Sequence, residues 1–472
     1  MAVSSIEGLG PVFHSHLGLK QGCPLSPLLF GLYVDDLELW LAKIGSTASF
    51  PLLADTEVVA PMYADDLGLA ALQPPGLQLQ LDTLASRSDH DGLTVNVKKT
   101  KVVIYKAATA KSAPCVFTYK GAEVEQLDDF TYLGVNLHAH RRVAHAADPR
   151  AESGMRAAYM LLQQCRDKHV TDAVVQIDLF KSIVLPVAQY GHEVWAPSLL
   201  CVAHPDDNPA DMLLRWFLRR VLGLRAGTPN DVLLVEAGQL PCHIGFKVSL
   251  AKYWNRLVNM ADGRMAKDAF IESVRLMPHC TKANSARASW VTQVASLLSP
   301  VADLFTADGT PQRIDVQSVH DNLRKAFLQS VSDSCSSMTM SYLALTGALN
   351  RATYTPAVHL QAVRYRRMRN ALSQLRTGSH WLRVRTALWG SGKTLARHER
   401  LCSRCDRGEV DDEYHMVWNC SALQQQRCDH AALFASMPAD ASMQQFLQQQ
   451  DQVLLAGFAL ACRKECRRLE GS

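Results

Sequence analysis

The sequence lacks both a long apolar run and an export signal. No uninterrupted apolar stretch reaches the roughly 18 residues that a membrane-spanning helix requires. Residues 1–10 carry neither the basic flank nor the apolar core of a signal peptide. We therefore expect an intracellular protein, nuclear or cytoplasmic, that is neither secreted nor held in a membrane.

A large excess of charge of one sign is also missing. The 49 lysine and arginine residues face 45 acidic residues, and the net charge of +4 is too small to predict a polyanionic partner by itself. Among the 13 cysteines only Cys402 and Cys405 form a close pair, a distribution typical of a reducing compartment. With 472 residues, of which 48% are hydrophobic, the chain can form about three globular domains.

The hydrophobic pattern changes after about residue 134. Before it, apolar runs alternate with glycine and proline, and helical stretches mix with strand-like ones, which indicates an α/β region. From 151 to 261 the apolar positions recur at helical spacing. From 262 to 356, serine and threonine breaks indicate loops between short helices. We therefore expect an α/β region followed by a mainly α-helical one.

The most informative motif is Tyr63-Ala64-Asp65-Asp66, which lies between the apolar stretches 58–60 and 67–71. This arrangement predicts a hairpin with carboxylates at its bend. Nucleotidyl transfer by two metal ions needs carboxylates that hold two Mg²⁺ about 4 Å apart. An isolated pair of aspartates in a turn is more often ordinary turn chemistry, so the surrounding sequence has to decide between the two interpretations.

Three further blocks supply that context. The block 21–30 (Gln-Gly-Cys-Pro-Leu-Ser-Pro-Leu-Leu-Phe) precedes the aspartates, and the blocks 92–101 and 130–134 follow them. In this order the four blocks resemble the reverse transcriptases of non-LTR (LINE-type) retrotransposons. The resemblance implies an α/β partial palm of a right-hand polymerase that lacks its fingers. A mainly α-helical thumb and a C-terminal region with a small zinc-binding module would follow it.

The resemblance also implies roles for single residues. Asp65 and Asp66 would bind Mg²⁺ beside Tyr63, and Lys99 would face phosphate charge, although a lysine in such a run is more often a solvated surface charge. The residues implied to contact the template and the incoming nucleotide are Gln21, Gly22, Pro24, Ser26 and Asn96. The residues implied to form the primer grip are Tyr132, Leu133 and Gly134. The implied partners are an RNA template, a DNA primer or target, and a dNTP.

The resemblance and the changes in composition together predict six segments. They are a partial palm at 1–145, a helical thumb or connection at 146–262, a helical linker region at 263–360, a basic segment at 361–395, a zinc knuckle at 396–430 and a glutamine-biased helical tail at 431–472.

Two other motifs imitate catalytic signatures. Tyr33-Val34-Asp35-Asp36 also reads Tyr-x-Asp-Asp, but it lies in the apolar stretch 28–41, which predicts one buried helix with its aspartates facing solvent. Gly390-Ser391-Gly392-Lys393-Thr394 resembles a P-loop, but the motif requires a further glycine where this chain has Ala387. We therefore interpret the second motif as a basic loop.

A basic segment follows in the C-terminal half. Its arginines are Arg364, Arg366, Arg367, Arg369, Arg376, Arg383 and Arg385. Aromatic residues lie among them and almost no acidic residue balances them, which favours contact with nucleic acid over an ordinary solvated helix face. Trp195, Trp216 and Trp254 could stack on bases, but tryptophans more often pack in a core.

Cys402, Cys405, His415 and Cys420 form the pattern Cys-x2-Cys-x9-His-x4-Cys. Three thiolates and an imidazole suit tetrahedral Zn²⁺, and the pattern resembles the zinc knuckle of LINE-type proteins. A lone Cys-x-x-Cys is often incidental or redox-active, but the added histidine and cysteine favour zinc. Cys428 and Asp429 are competing ligands. An acid within 411–413 is expected to orient the imidazole.

The missing fingers and a missing upstream carboxylate predict that the chain is inactive as a polymerase by itself. Family members hold their metal ions with a third, upstream aspartate, whereas the only acid before Gln21 is Glu7, in a context that resembles no metal-binding strand. Pro61 removes a backbone donor close to the Tyr-Ala-Asp-Asp turn and predicts a strained or shortened hairpin. Two functions stay open at this point: a reverse transcriptase truncated at its N-terminus, or a catalytically inactive remnant that binds nucleic acid.

Overall fold

The computed structural model describes residues 4–5, 8–9, 23–105, 115–140, 142–202, 204, 207–350, 354–387, 395–435, 437–438 and 440–470. The α-helices are α1 (Ser26–Val34), α2 (Leu37–Ala42), α3 (Pro74–His90), α4 (Ala147–Asp167), α5 (Ala173–Leu179), α6 (Leu185–Ala188), α7 (His192–Val202), α8 (Pro209–Leu222), α9 (Asn230–Ala237), α10 (Cys242–Val258), α11 (Met265–Leu276), α12 (Trp290–Leu298), α13 (Val316–Ser332), α14 (Ser337–Thr346), α15 (Val358–Ala362), α16 (Arg366–Arg376), α17 (Arg383–Thr386), α18 (Gln424–Asp429), α19 (Ala432–Ala435), α20 (Met443–Leu447) and α21 (Gln452–Glu470).

The described strands form antiparallel hairpins from neighbours in sequence. They are β1 (Ser4–Ser5), β2 (Gly8–Leu9), β3 (Leu52–Leu53), β4 (Thr56–Glu57), β5 (Met62–Tyr63), β6 (Asp66–Leu67), β7 (Phe117–Tyr119), β8 (Ala122–Val124), β9 (Asp129–Tyr132) and β10 (Val135–His138). The turn between β9 and β10 has positive φ at both central residues, Leu133 (46°) and Gly134 (78°). Such a turn matches the twist of the flanking strands, and the glycine adopts this conformation without steric cost.

The chain divides into two compact units. Unit 1 contains residues 1–141 and 260–276, and unit 2 contains residues 142–259 and 277–472. Unit 1 holds every described strand, whereas unit 2 is built from helices. The bounds of the six predicted segments stay a prediction, because a division into two units does not test them.

The core of unit 1 forms where α3 packs against the hairpins. Leu81 of α3, Leu41 of α2 and Phe117 of β7 are all buried in one cluster. Gly76 in the first turn of α3 allows a close approach, because a Cβ there would lie 2.4 Å from the carbonyl oxygen of Ala48. The short strands of this unit therefore depend on α3 for their buried face.

The prediction of one buried helix over 28–41 was wrong. Two short helices, α1 and α2, form instead, and Asp35 and Asp36 lie at the junction between them. Apolar side chains such as Leu28 and Leu32 are 60% and 65% exposed, because α1 turns only a small part of its surface toward the core. Asp35 is exposed, and Asp36 accepts a hydrogen bond from Arg87 at 2.5 Å, so neither aspartate lies in a hairpin turn.

Unit 2 is a set of packed helices with a large aromatic content in its core. Trp195 and Trp254 are buried, which confirms the packing interpretation for these two tryptophans, whereas Trp216 is partly exposed. The helices α16 and α21 pack against each other and share their core with residues 402–423. Among the described residues, no single helix is long and apolar enough to span a membrane. One pair bent by 88°, Ala173–Ala188 and His192–Val202, passes that test together by length and composition.

A buried ion pair joins distant parts of unit 2. Glu236 of α9 is fully buried, and its carboxylate accepts hydrogen bonds from Arg376 Nε of α16 at 2.6 Å and from the hydroxyl of Tyr342 of α14 at 2.8 Å. Burial lowers the pKa of Arg376, but the charge and hydrogen bonds of Glu236 outweigh this effect, so its pKa lies above the ordinary value. The guanidinium of Arg376 is therefore a structural group that holds α9 to α16.

Replacing Glu236 with glutamine is expected to destabilise unit 2 by about 3 kcal/mol, because it leaves the buried charge of Arg376 without a counter-ion. The free energy of unfolding in urea measures the effect. The double variant Glu236→Gln/Arg376→Met should recover most of the loss, since it removes the unpaired charge as well. A single variant as stable as the parent would show that the pair contributes nothing.

Candidate functional sites

The Tyr-Ala-Asp-Asp motif forms the predicted hairpin. Strands β5 and β6 pair Tyr63 with Asp66, and Ala64 in the turn has φ of +53°. Gly68 N donates to the carbonyl oxygen of Pro61 at 2.8 Å, so Pro61 continues the ladder through its acceptor although it has no donor. The paired strands are nevertheless only two residues long. The hairpin is therefore present and short, as Pro61 predicts.

The two aspartates at this bend are open to solvent. The side chains of Asp65 and Asp66 are exposed, and no described side chain forms an ion pair or a hydrogen bond with either carboxylate. Two adjacent carboxylates on a turn offer the hard oxygen donors that Mg²⁺ prefers, and such sites commonly complete the coordination with substrate phosphates. The donor set therefore fits Mg²⁺ through these two carboxylates.

The hairpin β9–β10 lies beside the hairpin β5–β6. Burial and the negative charge of Asp66 raise the pKa of Tyr132 in β9, which indicates that the phenol and the carboxylate are neighbours. A Cβ built on Gly68 would lie 3.6 Å from Tyr132 Oη. The structure thus brings the implied metal ligands together with Tyr132 and with the turn of Leu133 and Gly134.

The remaining residues of the implied polymerase site lie elsewhere in unit 1 or outside the described residues. Asn96 organises a turn, because its carbonyl and side-chain oxygens accept from Lys99 N at 3.0 and 3.2 Å. The side chain of Lys99 is exposed, so a phosphate partner and a solvated charge both stay open. Pro24 is exposed and precedes α1, which begins at Ser26. Gln21, Gly22 and the loop 390–394 lie outside the described residues.

The arginines of the predicted basic segment differ in burial. Arg364, Arg366 and Arg367 are exposed, and Arg383 and Arg385 are partly exposed. Arg369 and Arg376 are buried, so the prediction that they contact nucleic acid was wrong. Arg376 pairs with Glu236, and Arg369 Nη1 donates to the carbonyl oxygen of Val363 at 3.1 Å. Both occupy the inner face of α16, so neither guanidinium reaches the surface.

The predicted zinc ligands form one cluster. The ligand atoms of Cys402, Cys405, His415 and Cys420 all lie within 4.8 Å of one another. The sulfurs of Cys402 and Cys420 are 3.9 Å apart, and Cys405 Sγ lies 3.3 Å from His415 Nε2. Sulfurs bound to one tetrahedral zinc ion lie about 3.8 Å apart, given Zn–S bonds of about 2.3 Å. The geometry and chemistry of the four donors are compatible with zinc.

Local backbone structure explains why these ligands converge. Cys402 N donates to the carbonyl oxygen of Glu409 at 2.9 Å, which closes the loop that carries Cys405. The turn His415–Asn419 is π-helical, and Cys420 N donates to the carbonyl oxygen of His415 at 2.8 Å. This wider turn brings Cys420 back beside His415. Cys428 is exposed on α18 and lies outside the cluster, as does Asp429.

The acid that orients the imidazole is Glu409, which sequence reasoning missed. His415 Nδ1 lies 2.9 Å from Glu409 Oε2, and Asn419 Nδ2 donates to the same oxygen at 2.8 Å. Hydrogen bonds from His415 and Asn419 lower the pKa of Glu409. A carboxylate six residues before the histidine was visible in the sequence, but only the closed loop brings it to the ring.

The acids expected in this role act elsewhere. Asp411 is buried and pairs with Arg404, and Asp412 accepts from His415 N at 2.9 Å. Glu413 pairs with the buried His380 at 2.7 Å. Burial raises the pKa of Glu413, but the facing His380 outweighs this effect and brings it to about 2. Asp411 and Asp412 thus bind groups of the ligand-bearing loop and turn, Glu413 binds His380, and Glu409 is the acid at the imidazole ring.

Comparison with known proteins points to the part of the chain that contains the hairpins β5–β6 and β9–β10. Residues 6–137 match the sequence model of the family described as reverse transcriptase (RNA-dependent DNA polymerase). A transposon-derived protein of Caenorhabditis elegans is 29% identical over 135 residues, which cover 28% of this chain and 47% of that protein.

Two retrotransposon polyproteins are similar over a longer stretch. The retrovirus-related Pol polyprotein of a type-2 retrotransposable element of Drosophila melanogaster is 29% identical over 224 residues, 45% of this chain and 19% of the relative. That of a type-1 retrotransposable element of Popillia japonica is 26% identical over 221 residues, 45% of this chain and 29% of the relative. The chain thus spans less than half the length of each of these relatives. The similarity favours a reverse transcriptase domain over an inactive remnant and implies a palm-type polymerase fold. Residues 6–137 thus match a reverse transcriptase domain, and the chain is similar to retrotransposon Pol polyproteins.

Proposed function

We propose that this chain contributes the catalytic palm of an RNA-directed DNA polymerase that copies an RNA template from a DNA primer. One observation carries the proposal: two carboxylates that pair with no described side chain stand at the bend of a short hairpin, beside the hairpin of Tyr132. When bound there, Mg²⁺ would activate the primer hydroxyl and stabilise the leaving pyrophosphate.

The roles of the chain's own residues follow from their placement. We assign Asp65 as the principal metal ligand and Asp66 as its support. Both carboxylates stand at the same bend and can therefore face one bound metal ion. The turn of Leu133 and Gly134 positions the primer end next to them. Lys99 is exposed and can meet phosphate charge. Primer extension on an RNA template, with Asp65→Asn as the variant, tests these assignments.

We further propose that Cys402, Cys405, His415 and Cys420 hold one structural Zn²⁺. Four protein donors close the coordination sphere, which is typical of a structural site. Thiols supply three of the ligands, since Cys402, Cys405 and Cys420 form no disulfide. Thiolates of this kind persist in a reducing compartment, so we propose that the protein works inside the cell, in the nucleus or the cytoplasm.

Replacing Glu409 with glutamine is expected to weaken zinc binding about 10- to 100-fold, because the neutral amide no longer orients the imidazole or raises its basicity. Competition with a chromophoric chelator measures the affinity. Asp406→Asn is the matched control, since Asp406 is exposed in the same loop and belongs to no ligand cluster among the described residues. Equal affinities for the parent and Glu409→Gln would remove Glu409 from the site.

A further inference from the structure

An exposed cluster of aromatic and arginine side chains lies on unit 2, apart from the zinc ligands. Tyr159 of α4 and Trp216 of α8 meet edge to face with ring centroids 4.9 Å apart. The guanidinium of Arg220 lies over both rings, 4.7 Å from the centroid of Trp216 and 5.8 Å from that of Tyr159. Tyr159 is 51% exposed, and Arg220 is exposed as well, so the stack is open to solvent.

The first turn of α16 extends this cluster with further positive charge. Arg366 Nη2 donates to the carbonyl oxygen of Arg220 at 3.2 Å, at the C-terminal end of α8. Arg367 follows it in the chain, and both side chains are exposed. We call Tyr159, Trp216, Arg220, Arg366 and Arg367 the aromatic–arginine surface.

The arginines of this surface differ from the structural arginines of unit 2. Arg376 and Arg404 each pair with a buried carboxylate. Among the described residues, the ion pairs of unit 2 do not include Arg220, Arg366 or Arg367. Arg220 therefore lies over the exposed ring of Tyr159 and the partly exposed ring of Trp216 without a carboxylate partner among the described residues, and Arg366 bonds to its carbonyl oxygen.

We propose that the aromatic–arginine surface binds an unpaired stretch of nucleic acid; this inference rests on the proposed function. Exposed rings stack on the faces of unpaired bases, whereas bases inside a duplex offer no free face. A guanidinium stacked on an indole keeps its N–H edge available for a phosphate, in a geometry that a lysine does not reproduce. The joint presence of rings and unneutralised arginines favours a single strand over an acidic protein, which has no planar groups to stack.

The test measures binding of the full chain to a fluorescein-labelled oligouridylate and to the matching oligothymidylate by fluorescence anisotropy, without Mg²⁺ or nucleotide. The triple variant Arg220→Gln/Arg366→Gln/Arg367→Gln is expected to bind at least tenfold more weakly at low salt. It should also lower the slope of log affinity against log salt by about 2, because each lost phosphate contact removes about 0.7 from a single-strand slope.

Tyr159→Leu, which keeps an apolar side chain, should weaken binding roughly fivefold or more through lost stacking. The two oligonucleotides show whether RNA or DNA is the preferred strand.

Arg313→Gln is the matched control, because Arg313 is another exposed arginine of unit 2 away from this surface. Circular dichroism and thermal unfolding verify that each variant is folded. Unchanged affinity and salt slope in the folded triple variant would overturn the proposal, as would an equal loss in Arg313→Gln or binding that does not depend on salt. A chain that binds through this surface but, when joined to an upstream palm segment, never extends a primer would refute the polymerase proposal and leave this one standing.

Discussion

Replacing Asp65 with asparagine is expected to abolish Mg²⁺-dependent DNA synthesis, with a loss of roughly a thousandfold or more. The variant keeps the shape of the turn but removes one negative charge from the metal ligands, and a metal ion contributes several kcal/mol, or about three powers of ten in rate, to such a transition state. Asp66→Asn should have a smaller effect if Asp66 only supports the principal ligand. Incorporation of labelled nucleotide on an RNA template with an annealed DNA primer measures both rates.

The assay uses a polypeptide in which an upstream palm segment with a further metal-binding aspartate precedes these residues. Asp35→Asn is the matched control, since Asp35 belongs to the second Tyr-x-Asp-Asp motif and is exposed at the junction of α1 and α2. Full activity in Asp65→Asn, or an equal loss in Asp35→Asn, would show that the hairpin is wrongly assigned.

Removing the zinc ion, or replacing Cys420 with serine, is expected to destabilise unit 2 by about 4 kcal/mol, the stabilisation that a ligand supplies at a thousandfold excess over its Kd. Cys420, Met416 and Val417 are fully buried in the core that residues 402–423 share with α16 and α21. The loss should therefore spread beyond the knuckle to these helices. Thermal unfolding with and without chelator, together with metal analysis, measures the effect.

Cys428→Ser provides the control for the zinc prediction, because Cys428 is exposed close in the sequence and lies outside the cluster. It should keep one zinc ion per chain and the stability of the parent. The prediction fails if the parent holds no stoichiometric zinc, or if Cys420→Ser binds zinc as tightly as the parent does.

The carboxylate hairpin and the zinc cluster could be predicted from local sequence. The apolar stretches 58–60 and 67–71 on either side of Tyr63-Ala64-Asp65-Asp66 were sufficient to predict a bend that carries two carboxylates, because a hairpin turn is formed by neighbours in sequence. The zinc ligands likewise lie within one short stretch, 402–420, where loop and turn geometry bring them together. The helix prediction for 28–41 failed, because an apolar run indicates burial but does not reveal where the helix breaks or how much of it the core covers.

Long-range packing decided which of the predicted groups are buried and which are exposed. Glu236 and Arg376 are 140 residues apart in the chain, and only the contact of α9 with α16 turns one arginine of the basic segment inward while Arg366 and Arg367 remain outside. The stack of Tyr159, Trp216 and Arg220 depends in the same way on the packing of α4 against α8. Residue types and their spacing therefore determined which chemistry the chain can carry. The tertiary structure determined which of those groups face solvent, because burial depends on partners that no local pattern encodes.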